Sequence, residues 1–100
     1  MQPLIDIANQ VHALEKKVQK EGHSGSGYLR HIQRIRQSLA ELGTTFHSPE
    51  GERYTETRTD VEASVAGESM GNLTITQVIK PIVSQHGQIV QAGIVIVERV

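Results

Sequence analysis

Two heptad-spaced apolar seams, separated by a stretch with no apolar side chain, constrain this chain more than any other feature. Leu4, Ile7, Val11, Leu14 and Val18 step by three and four, and Tyr28, Ile32, Ile35, Leu39 and Leu42 step by four and three. That period is helical. Pro3 suits a first turn, where its missing N–H is not needed, and Gly43 suits a helix stop. Between the seams runs Glu21-Gly22-His23-Ser24-Gly25-Ser26-Gly27. Such a segment predicts a connection between two antiparallel helices. Ile5, Ala8 and Leu29 flank the seams, so the apolar stripe is wide enough for each helix to touch two neighbours. Two helices alone bury too little apolar surface to offset the entropy of ordering their backbones. We therefore read residues 1–43 as a helical hairpin that dimerises. The ten seam residues form the interface, and two hairpins make a four-helix bundle.

Residues 44–100 read as β. From Leu73 to Val97, 25 residues include six Ile, five Val and two Thr, a strong strand bias. His86-Gly87 stands between Ile82-Val83 and Ile89-Val90, the pattern of a tight hairpin turn. Pro81 is expected at an edge or a bulge. The continuous run Ile94-Val95-Ile96-Val97 predicts a strand covered on both faces. Val61, Ala63 and Val65 alternate with Asp60, Glu62 and Ser64, as in a half-exposed strand. Ser48-Pro49-Glu50-Gly51 and Gly67-Glu68-Ser69 read as turns. The fold class is α+β: an N-terminal helical hairpin followed by a small all-β sandwich or barrel-like unit.

The composition excludes several functions. The chain has no cysteine, which removes disulfides, thiolate catalysis and cysteine zinc sites and fits a reducing compartment, so a cytoplasmic location is expected. Ten basic and 11 acidic residues give a net charge of −1, with no electrostatic footprint for nucleic acid or an anionic membrane. No apolar run approaches the ~20 residues of a membrane span, and nothing resembles a signal peptide. Gly22-His23-Ser24-Gly25-Ser26 comes within one residue of the G-x-S-x-G nucleophile elbow. However, that motif needs a strand before it in a large α/β sheet, and here a lysine-rich helix precedes it. Ser24 therefore reads as a loop residue. His12, His23, His31, His47 and His86 show no paired-ligand spacing, and His12 and His31 read as solvated helix residues. Glu50, Glu52, Glu56, Asp60 and Glu62 fit exposed turn and strand positions without a catalytic cleft. Gly67, Gly71 and Gly87 lack the lysine and helix of a phosphate loop. Lys16, Lys17 and Lys20 read as a solvated helix end. No cofactor, metal or catalytic residue is expected; a non-enzymatic interaction protein is.

Several stretches together resemble the GrpE family, the nucleotide exchange factors of DnaK-type chaperone ATPases. Gln2 to Val11 is similar to the opening of that family's first bundle helix. Tyr28 to Gly43, ending Leu39-Ala40-Glu41-Leu42-Gly43, is similar to its second. Gly51-Glu52-Arg53-Tyr54 and Glu62-Ala63 resemble its glycine–aromatic and His-Glu-Ala patterns. His86 to Val97 resembles its closing strands. The chain departs from the family at Val61, at Ile82-Val83, and at Gln88 and Gln91, where the family carries a histidine, a glycine–aromatic pair and two arginines. The family's long N-terminal coiled-coil helix has no counterpart in these residues.

The resemblance implies a dimer joined through its helices, with the β unit as a wing on the chaperone's nucleotide-binding domain. It places partner contacts at Glu52, Glu62, Ile82, Val83, His86, Gln88 and Gln91, and implies faster ADP release. The rival expectation is a dimeric adaptor without exchange activity.

Overall fold

In a computed structural model, residues 2–22, 27–68 and 70–99 are described. The architecture is α+β, with two helices and two sheets. Helix α1 (Gln2–Lys20) and helix α2 (Tyr28–Glu41) follow the two seams. Tyr28 lines one surface depression with Leu14 and Val18, whereas Ile35 also lines a second with Ile7 and Val11, so the helices run antiparallel. His23, Ser24, Gly25 and Ser26, including the would-be nucleophile, lie outside the described residues. α2 ends as expected. The Leu42 N–H reaches the Ser38 and Leu39 carbonyls, the Gly43 N–H reaches that of Ala40, and Gly43 takes φ of 84°. A side chain would strain that left-handed stop.

The β half begins with β1 (Thr44–His47), β2 (Arg53–Tyr54) and β3 (Val61–Ala66). It continues with β4 (Leu73–Lys80), β5 (Ile82–Gln85), β6 (Gln88–Gln91) and β7 (Gly93–Arg99). One sheet has the order β1-β5-β6, all antiparallel; the other has the order β2-β4-β7-β3, with β3 parallel to β7. Two register shifts between β4 and β7 curl this second sheet into a half-barrel, because each extra residue bends and twists its strand. The β5–β6 turn is the expected one: His86 and Gly87 have φ of 50° and 82°, the paired left-handed residues of a type I′ hairpin.

Pro81 sits neither at a sheet edge nor within a bulge, but directly after the β4 register shift that ends at Lys80. It is fully buried where the chain leaves β4 in one sheet and enters β5 in the other, a junction that needs no ladder N–H. Nor is β7 covered on both faces. Gly93, Val95 and Val97 are buried, whereas Ile94 and Ile96 are half-exposed, because one face of the second sheet meets solvent. The strand covered on both sides is β5. Ile82 packs with Val61, Ile75, Val78, Val95 and Val97, while its neighbour Val83 packs with Phe46 and the helices. Successive side chains of a strand point to opposite faces, so β5 lies between two cores.

The first core joins Ile5, Ala8, Val11, Val18, Ile32 and Leu39 to Phe46 and Val83, so it spans the hairpin and the three-stranded sheet. Polar contacts reinforce the joint. Asn9 and Gln91 exchange amide hydrogen bonds of 3.0 and 2.7 Å, and Gln91 Nε2 also donates to the Pro81 carbonyl at 2.9 Å. Lys16 is not a freely solvated helix end; its Nζ donates to the Val78 carbonyl at 2.9 Å. Among the described residues, no helix is long and apolar enough to cross a membrane.

Candidate protein-interaction site

Where helices settle on a sheet, the buried face is set by the sheet. Here it cuts across the heptad seams. Val11, Val18, Ile32 and Leu39 are 2–7% exposed, and Leu4 packs half-buried beside them. Ile7, Leu14, Tyr28, Ile35 and Leu42, the alternate seam positions, are 40–59% exposed. Each apolar sector is wider than the contact it makes at home, and the surplus from both helices falls on one outer face. Leu14 and Ile35 line both depressions there, of about 420 and 290 Å³, which makes the strip continuous. Lone exposed apolar residues are ordinary; a row at seven-residue spacing on two adjacent helices makes this face a candidate interaction surface.

The inner face holds a residue that the seams do not reveal. His12 is not solvated; it is 3% exposed, one turn beyond Ala8 on the sheet-facing side of α1, and its Nε2 has no hydrogen-bond partner. Burial, then the nearby Lys16 and Arg36 cations, push its pKa below the usual histidine value, while Glu15 and Glu50 pull it back only in part. Arg36 of α2 stacks 4.0 Å over the Phe46 ring, and its Nη2 holds both Glu15 carboxylate oxygens at 2.9 and 3.2 Å. Its Nη1 donates to the Phe46 carbonyl at 3.2 Å, so Arg36 fastens α1, α2 and β1 together.

The expected partner-contact residues do not form one surface. Ile82 and Val83 are core residues, for the two-sided reason given above. Gln91 is half-buried and committed to Asn9 and Pro81. Glu52 is half-exposed and meets the His47 ring at 2.5 Å and Arg58 at 3.2 Å. Arg58 also pairs with Asp60 at 2.9 Å and holds that carboxyl below its usual pKa. Glu62 is exposed on β3, an edge of the four-stranded sheet. His86 and Gln88 are exposed at the β5–β6 turn. Beyond them, Ile89 and Val90 are 51% and 37% exposed on β6, the edge of the three-stranded sheet. Sequence reasoning took those two simply as strand residues. The register shift between Val83 and Ser84, which no local pattern announces, leaves Val90 without a partner in β5, while Ile89 stays opposite Ser84.

Among the described residues, no group of three or more His, Asp or Glu could hold a metal. Compared with known protein families, with curated proteins and with solved structures, the chain matches none.

Proposed function

We propose that this protein is a homodimeric co-chaperone of the GrpE kind, promoting ADP release from a DnaK-type ATPase. The observation that carries the reading is the uncovered row Ile7, Leu14, Ile35 and Leu42 on the outer face of the hairpin. A second copy laying the same row against it completes a four-helix bundle, in which each hairpin is sealed by the three-stranded sheet on one side and by its twin on the other. The β unit then flanks the bundle as a wing packed on its own hairpin. Its exposed contact residues are Glu62, His86 and Gln88, with Glu52 half-accessible.

The wing works without chemistry of its own. It must bind an open nucleotide cleft better than a closed one. Moving a cleft from 1:99 to 99:1 requires ~5.5 kcal/mol of preference. The motifs at Gln2–Val11, Tyr28–Gly43 and His86–Val97 support the family assignment. Gln88, exposed where the family carries an arginine, points to a specialised DnaK-like partner.

Stopped-flow release of labelled ADP from DnaK-type ATPases tests the proposal, alongside light scattering of the purified protein. The expected results are accelerated release and a dimer mass. A dimer that accelerates no such ATPase would leave the adaptor reading, and a folded monomer at high concentration would remove both.

A further inference from the structure

A second surface lies on the other side of α2. Arg30, Gln33, Arg34 and Gln37 are exposed there and line a groove of about 590 Å³, closed on its far side by Thr45 and Phe46 of β1. The third arginine lining the groove, Arg36, is already neutralised by Glu15. Arg30 and Arg34 make no hydrogen bond or ion pair among the described residues, and no carboxylate lines the groove. Two like charges at i, i+4 disfavour the helix that carries them, so the pair is better satisfied by an external anion.

The dimensions say which anion. The guanidinium stems rise one helical turn apart, about 6 Å, while alternate side chains of an extended peptide recur every ~6.6 Å. From Arg30 to Ala40 the groove wall runs about 15 Å at 1.5 Å per residue, too long for a single small ion. Gln33 and Gln37 share that spacing and offer amides to a peptide main chain. The far end is apolar at the exposed Ala40, whereas the Phe46 ring is buried beneath Arg36.

We propose that this groove binds an extended acidic segment of a partner protein, with carboxylates at alternate positions on Arg30 and Arg34 and an apolar residue toward Ala40. This does not rest on the exchange-factor reading, because the groove and the outer apolar strip lie on different sides of α2.

The test is fluorescence anisotropy of a labelled peptide with glutamates at alternate positions followed by valines, titrated with the full chain at low salt. Saturable binding is expected. Arg30→Ala with Arg34→Ala should weaken it at least about tenfold, and the paired lysine substitutions should fall between, because a lysine lacks the two-pronged fork. Placing the glutamates side by side should weaken binding, and a lysine-for-glutamate peptide should not bind. Any one of four results would overturn the proposal: no saturation; unchanged affinity in the double alanine variant; displacement by an equal concentration of inorganic phosphate, which would mark a small-ion site; or loss of self-association in that variant by sedimentation, which would make the occupant a second copy of this chain.

Discussion

Val97 on β7 and Ile35 on α2 are both β-branched apolar residues at the heart of regular elements, yet one is 0% exposed and the other 40%. The difference belongs to their regions. The second core is enclosed by strands alone: Val61, Ile75, Val78, Ile82, Val95 and Val97 face one another across the sheets. The hairpin buries one flank on Phe46 and Val83 and leaves its other flank bare. A sheet has two flat faces, and one folded over another shelters an entire face. A helix with an apolar sector approaching half its circumference cannot be covered by a single sheet. The first region is complete within one copy, whereas the second leaves apolar surface bare that a second copy would cover in the proposed dimer.

The largest effect should come from opening the closed region. Ile75 is fully buried between the sheets, so Ile75→Ala should cost about 2–5 kcal/mol in urea denaturation. The loss should not depend on protein concentration, because that core is enclosed by the chain's own strands. The counterpart in the open region is Ile35→Glu. It should abolish self-association in sedimentation and remove the concentration dependence of Tm, a shift of about 2–3 kcal/mol at working concentrations. Far-UV circular dichroism should stay unchanged. Equal sensitivity to concentration in both variants would erase the contrast between the regions.

The joint between the regions gives smaller effects. Gly43→Ala would place a methyl group at φ of 84° and within 2.2 Å of the His86 ring, next to the 2.7 Å hydrogen bond from the His86 N–H to the Gly43 carbonyl. The expected loss is about 1–2 kcal/mol for the left-handed backbone, read by thermal denaturation.

His12 gives a pH signature. Its folded pKa lies below the unfolded value of 6.5, so the unfolded chain binds the extra proton first. Stability is therefore complete above that pH and falls as the pH drops through 6.5 toward the folded pKa. The slope should be at most about 1.4 kcal/mol per pH unit. His12→Leu should flatten it in denaturation curves between pH 7 and 5, and an unchanged slope would mean that protons are taken up elsewhere.

Local pattern made much of the fold legible. The 3–4 spacing placed both helices, Gly43 placed the stop, His86-Gly87 placed the type I′ turn, and Val61–Val65 placed a strand. Each of these depends on residues within a turn or two of one another. The candidate sites were less legible, because they depend on which face of an element is covered. The resemblance placed partner contacts at Ile82 and Val83, which are core. His12 and Lys16 looked solvated and are held against the β half. Arg30 and Arg34 are ordinary helix residues until Thr45 and Phe46 of β1 close the groove beside them.

The sequence by itself determined where the chain would be helical or extended and that its helices carry more apolar width than two of them can cover. Hydrophobic periodicity and turn chemistry are short-range properties, and they survive without tertiary context. Only the tertiary structure decided which flank of that width is sheltered, because burial is a relation between elements distant in the chain. Placing β5 between two cores turned both of its faces inward, and laying the hairpin on Phe46 and Val83 left Ile7, Leu14, Ile35 and Leu42 to the outside.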